Sequence, residues 1–352
     1  DVNTIRSVAL SADGAYAAAG YNDGQIRLYA TEDGSPFQTF IDDSGSEDNR
    51  NITELEFSPD GQFLVASAFD GVARVWDWRT GTLARRFAGH VEEHEARGEE
   101  VPGLRDVSIS ADSQRVASGD DGLGLVMVWD IETGERLTLY EGGFGAAWAV
   151  ELLPDATSIL IGYEDSTMRW VDLETLTLRR EFTGHTARVW NIDLVADGRE
   201  ALSASYDNII IHWELSSGQI LNQFKGHTGV IYGVAATDLR FVSGSRDGTL
   251  RYWDVASGAQ IRHFLARDAI TGLFADGEGE AITVIAGEYS GGIQILDHTL
   301  TPQRSITAQD DLLALDLSTA HDLLVTAAGE EETITTLAFV HRRKTQRRHA
   351  RL

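Results

Sequence analysis

Apolar residues in this chain come in short runs, five to seven long, rich in β-branched and aromatic types and broken by turn residues. "LEFSP" (Leu55–Pro59), "FLVASA" (Phe63–Ala68) and "VARVWD" (Val72–Asp77) are consecutive examples. Runs of this length and make-up predict β-strands. Between the first two runs of a set lies a turn such as Pro59-Asp60-Gly61, Ala12-Asp13-Gly14 or Ala196-Asp197-Gly198. Asp initiates such a turn and Gly supplies its positive φ, so each set predicts a hairpin. A later hairpin carries Thr80-Gly81, Thr133-Gly134, Ser217-Gly218 or Ser257-Gly258. No segment sustains a 3.6-residue period, and the chain is predicted to be all-β.

The sets repeat. "GHTARVWNIDLVADGREALSASYDNIIIHWELSSGQ" (Gly184–Gln219) is followed by "GHTGVIYGVAATDLRFVSGSRDGTLRYWDVASGAQ" from Gly226, and looser copies start at Ile52 and Leu104. Together with degenerate copies, units begin near residues 5, 52, 104, 144, 185, 227, 270 and 312. A period of roughly 40–50 residues is that of four-stranded propeller blades. The expected fold is one closed β-propeller of four-stranded antiparallel blades over residues 1–340, with eight blades favoured. Seven blades plus an appended unit is the alternative, because the outer strand of the last unit is unclear and only Asp1–Thr4 precede the first run.

The spacing of Gly-His, turn Asp and Trp-Asp resembles the WD-repeat β-propeller family over essentially the whole chain. The resemblance implies a buried hydrogen-bonded set in each blade. It falls on His185, Ser203, Asp207 and Trp213 in unit five and on His227, Ser243, Asp247 and Trp253 in unit six. Unit two keeps Ser67, Asp70 and Trp76 but lacks the Gly-His. Unit three lengthens the hairpin between Asp121 and Trp129, and the Trp position holds Tyr29, Val171 and Leu296 in units one, four and seven. A Ser–His–Asp set suggests a hydrolase, but a hydrolase needs one exposed nucleophile with an oxyanion hole. The same set in adjacent copies is what a structural network requires.

The resemblance also implies two positions per blade that face the loop side. One series reads Arg6, Thr53, Arg105, Trp148, Trp190, Tyr232, Thr271 and Leu313; the other reads Asn22, Phe69, Asp120, Glu164, Tyr206, Arg246, Tyr289 and Glu330. Trp148, Trp190, Tyr206 and Tyr232, with Arg188, Arg246, Arg105 and Phe69, form the candidate partner-binding set. Aromatic and Arg clusters are the stuff of protein-binding hot spots. The plain alternative is that these rings fill the centre of the propeller.

Composition narrows the function classes. With 352 residues and a formal charge of −26, the body disfavours nucleic acid and anionic membranes. The exception is the basic block "HRRKTQRRHARL" (residues 341–352), which reads as an interaction tail. Two longer connections, "DDSGSEDNR" (Asp42–Arg50) and "HVEEHEARGEE" (His90–Glu100), are acidic, read as loops, and could steer a basic partner. His90–His94 matches a zinc-hydrolase pattern that needs a helix, which an acidic loop does not supply. "DDSGSED" offers hard oxygen atoms without the spacing of a calcium-binding EF-hand. No metal and no cofactor is expected. Absence of cysteine excludes disulfides and thiolate chemistry. No apolar run reaches bilayer length. The chain opens at Asp1 without a signal peptide, which leaves processing and compartment open. The leading expectation is a non-enzymatic scaffold that binds one or more proteins or peptides. Behind it stand a subunit attached to a larger complex through the basic tail and, last, a propeller enzyme.

Overall fold

Among the described residues, seven four-stranded sheets and one three-stranded sheet, all antiparallel and each built from strands consecutive in sequence, make up the fold. The computed structural model describes the backbone of residues 5–11, 13, 15–21, 23–30, 36–42, 50–236, 239–265, 269–276, 283–288, 292–296, 302–307, 312–318, 323–328 and 334–338, and most side chains as far as Ala269. Residues 1–4, Ala12, Gly14, Asn22, 43–49, Tyr289, Glu330 and the basic block 341–352 lie outside the described residues. So do the side chains of Arg6, Tyr29, Thr271, Leu296 and Leu313.

The first strands of the sheets are Ile5–Leu10, Ile52–Phe57, Leu104–Ile109, Ala147–Leu152, Val189–Val195, Ile231–Ala236, Ile270–Asp276 and Leu312–Ser318. Each lies beside the first strand of the next sheet, and Leu312–Ser318 lies beside Ile5–Leu10. The core is divided into layers between neighbouring sheets. One layer joins Val65, Val75 and Phe87 of the second sheet to Val107, Met127 and Trp129 of the third; the next joins Ala117 and Val128 to Val150, Ile161 and Tyr163. Alternation along each strand feeds the layers on its two sides, which is why central strands such as Phe63–Ala68 and Ser158–Tyr163 are buried on both faces. Where sheets approach most closely the sequence places glycine: a Cβ on Gly162 would stand 2.8 Å from Cγ1 and 3.1 Å from the carbonyl of Val189.

One irregularity recurs in all eight sheets. The register between first and second strands shifts once, near the start of the first strand, for example between Ile52 and Glu54, Ala147 and Ala149, and Val189 and Asn191. Such a bulge inserts one extra residue and re-aims its side chain without disturbing the pairing beyond it. The extra residue is Thr53, Arg105, Trp148, Trp190 or Tyr232 in the second to sixth sheets.

Two expectations need correction. The segment expected as an acidic loop folds from Gly89 to Arg97 as an α-helix, closed by Gly98 in the left-handed conformation. The Gly98 N–H reaches the Glu95 carbonyl, the Glu99 N–H reaches that of His94, and Glu93 pairs with Arg97 one turn on at 2.9 Å. His90 and His94, also one turn apart, project inward and are buried. The second correction concerns Asp120, expected on the loop face. It is fully buried and supplies the acid of the third sheet's internal set, while its neighbour Asp121 pairs with Arg105.

Candidate functional site

Three sheets carry the Gly-His set intact. In the fifth, His185 Nδ1 lies 2.9 Å from Asp207 and Nε2 lies 2.7 Å from Ser203 Oγ, which also accepts the Trp213 indole N–H at 2.8 Å. The sixth repeats this with His227, Asp247, Ser243 and Trp253 at 3.0, 2.7 and 2.9 Å. Burial pushes His227 down to about 4, so its ring is neutral. Nδ1–H then donates to Asp247, Ser243 O–H donates to Nε2, and every partner is satisfied. In the third sheet Asp120 is shared: both His90 Nδ1 and His94 Nε2 lie 3.1 Å away, and His90 Nε2 lies 2.9 Å from Ser118. The preceding glycine has a steric reason, since a Cβ on Gly89 or Gly184 would meet the indole of Trp129 or Trp213. All three serines are fully buried. Among the described residues no group of three or more His, Asp and Glu is arranged to hold a metal, and no helix is long and apolar enough to cross a membrane.

In the first, second and fourth sheets, which lack the histidine, a cation meets the turn Asp instead. Four residues beyond the turn Asp stands an arginine: Arg27 after Asp23, Arg74 after Asp70 and Arg169 after Asp165. Arg74 is buried between Asp70 at 2.6 Å and Asp42 at 2.7 Å. Ser67 turns to Thr53 instead, at 2.8 Å.

The bulged residues converge on the space between the first strands. Trp148 stacks on Trp190 with ring centroids 4.9 Å apart, and Trp190 meets Tyr206 at 5.2 Å and Tyr232 at 6.0 Å. Arg105 lies between Phe69 and Trp148, 4.8 and 4.4 Å from their centroids; Arg188 lies between Trp148 and Tyr206, at 4.6 and 4.2 Å. Both cations are answered, Arg105 by Asp121 at 2.6 Å and Arg188 by Glu164 at 3.4 Å. Glu164 also accepts the Trp148 indole N–H. The aromatic residues are half-buried, and Arg246 is exposed beside Tyr206. Beside them is a cavity of about 400 Å³ lined by Ile52, by Phe69, by the bulged residues Thr53, Arg105, Trp148, Trp190 and Tyr232, and by Glu54, Asp106 and Asn191 one residue further along their strands.

Sequence reasoning missed the groups at the floor. Each first strand is a sheet edge, and its outward N–H groups need acceptors. Side chains of the preceding sheet supply them. Glu56 accepts the Ile109 N–H at 3.0 Å, Asp106 that of Val150 at 3.0 Å, Ser108 that of Leu152 at 3.1 Å, Asn191 that of Val234 at 3.1 Å and Asp193 that of Ala236 at 2.8 Å. Desolvation raises the acids among them, Asp106 to about 7 and Asp193 to about 6. Glu56 and Glu151 are pushed well above the carboxylate range, by burial first and then by neighbouring carboxylates. The available signal was a pair of hydrogen-bonding polar residues at alternate positions of three first runs, "ELEF", "RDVSIS" and "WNIDLV".

With this geometry in view, comparison with known proteins gives a consistent picture. The family described as "WD domain, G-beta repeat" (WD40) matches residues 2–30, 34–77, 176–214 and 218–254. WD repeat-containing protein 82 of Drosophila melanogaster is 32% identical over 136 residues, 38% of this chain and 40% of that protein. The guanine nucleotide-binding protein subunit beta of Nicotiana tabacum is 27% identical over 119 residues, 34% of this chain and 29% of that one. Apoptotic protease-activating factor 1 of Rattus norvegicus is 24% identical over 49% of this chain and 12% of its own length. The matched region thus spans less than half the length of each of these relatives. In fold, the chain is similar to the crystal structure of the computationally designed Ika8 protein, with a TM-score of 0.79, 21% identity, and 96% and 97% of the two chains covered.

Proposed function

We propose that this chain, which belongs to the WD-repeat family, is a non-enzymatic scaffold that docks a peptide or protein on the loop side of an eight-bladed, closed propeller. Closure is supported by the first strands, which neighbour one another in sequence order with the eighth beside the first. The observation that carries the docking reading is the bulge repeated in every sheet, which delivers Trp148, Trp190 and Tyr232 from consecutive sheets into one aromatic surface. Rings braced by two arginines that are themselves paired have few rotamers left to lose, so a partner finds a preorganised anchor. The buried Ser–His–Asp sets hold the blades and take no part in binding.

Affinity capture from the native source, with cross-linking to map the contact, tests the reading. The expected result is cross-links clustered around Trp148, Trp190 and Tyr232, and capture lost in the Trp190→Ala/Tyr232→Ala variant. Unchanged capture by that variant, with cross-links elsewhere, overturns it.

A further inference from the structure

Below its aromatic rim the cavity changes character. Glu54 and Asp106 occupy equivalent positions on neighbouring first strands, one residue past the bulge, and both line its floor. Further along the first strands of the second, fourth and fifth sheets lie Glu56, Glu151 and Asp193. Of the ten residues around the cavity Arg105 is the cation, and Asp121 holds its charge at 2.6 Å. The space is therefore negative below and walled by π systems above. Both favour a cation: carboxylates by charge, and indole and phenol rings through their quadrupole. At about 400 Å³ the cavity has room for one long side chain, not for a folded segment.

Resting on the docking reading above, we propose that this cavity takes up an arginine side chain of a basic partner segment. Its alkyl stem lies along Trp190 and Tyr232, and its guanidinium lies over Glu54 and Asp106. A planar guanidinium suits the floor because it presents N–H donors in two directions, one toward each carboxylate. Burial raises the Asp106 carboxyl to about 7, and a guest cation beside it answers the same demand for positive charge as the proton does. The whole chain, at −26, steers a basic segment toward the mouth.

The test uses the full chain and two blocked pentapeptides, each with a central residue flanked by glycines: arginine in one and citrulline, its uncharged isostere, in the other. Binding is followed by tryptophan fluorescence and by calorimetry. The arginine peptide is expected to saturate and to bind at least tenfold more tightly than the citrulline peptide, with an advantage that shrinks as salt rises. The Glu54→Gln/Asp106→Asn variant, checked for an unchanged fold by circular dichroism, is expected to lose that advantage. Equal binding of the two peptides, no saturable binding, or an advantage that survives in the variant overturns the proposal. If it is overturned while Trp190→Ala/Tyr232→Ala still abolishes partner capture, the docking face stands and only the cationic guest is wrong.

Discussion

Asp106→Asn is expected to stabilise the protein at alkaline pH and to leave it nearly unchanged at pH 5. Asp106 accepts the Val107 and Val150 N–H groups at 2.9 and 3.0 Å, yet desolvation still raises it to about 7. An aspartate in the unfolded chain titrates near about 3.9, and one unit is worth about 1.4 kcal/mol. Between these values the folded state binds the proton more tightly. Its stabilising effect is therefore complete below about pH 4 and is lost as pH rises through 7. By pH 8 the ionised carboxylate costs about 4 kcal/mol before solvent screening. An amide carries no such charge but can accept only one of the two N–H groups, which returns about 1 kcal/mol. The net expectation is a gain of about 2–3 kcal/mol at pH 8 and close to zero at pH 5, where the wild-type carboxyl is already protonated. Urea unfolding followed by tryptophan fluorescence measures this as a shift in midpoint at constant slope. A variant whose difference from wild type is the same at both pH values refutes the reasoning.

Other substitutions probe the frame. Ser203→Ala removes the common partner of His185 Nε2 and the Trp213 indole in a fully buried site, and is expected to cost about 2–4 kcal/mol by urea unfolding. Arg74→Ala leaves Asp42 and Asp70 without the buried cation between them and is expected to cost about 3–5 kcal/mol, measured the same way. Gly162→Ala forces a methyl against Val189, and a loss of about 1–3 kcal/mol should appear as a lowered melting temperature.

The repeat was legible because its polar residues are chemically distinctive and evenly spaced. His185, Ser203, Asp207 and Trp213 stand in one unit as His227, Ser243, Asp247 and Trp253 stand in the next, and the structure brings each four within hydrogen-bonding reach. Aligning units also placed Trp148, Trp190 and Tyr232 at one position, which is the bulge. Unit three was misread because two acids adjoin there. Spacing alone does not decide between Asp120 and Asp121, and the answer came from His94 on a helix of only nine residues. That helix buries little beyond two histidines and a glycine, so it leaves no apolar stripe to detect. The floor carboxylates were missed for a different reason. Acids at alternate positions of a strand normally face water, and only the gathering of eight first strands encloses both of their faces. That the missing histidines are answered by Arg27, Arg74 and Arg169 follows the same logic: the turn Asp needs a cation or an N–H donor, and either residue supplies one.

The bulge has a consequence for how such a surface can change over time. A residue inside a regular strand is committed by the two-residue alternation to one layer of the core or the other, so altering it disturbs packing. The bulged residue is exempt: it is an addition to the ladder, and pairing resumes beyond it. Thr53, Arg105, Trp148, Trp190 and Tyr232 differ in size, charge and polarity, yet the strands that carry them make the same single register shift. The positions behave like interchangeable keys on a fixed frame. New specificity can be written there one residue at a time, with the stability of the frame left out of the transaction.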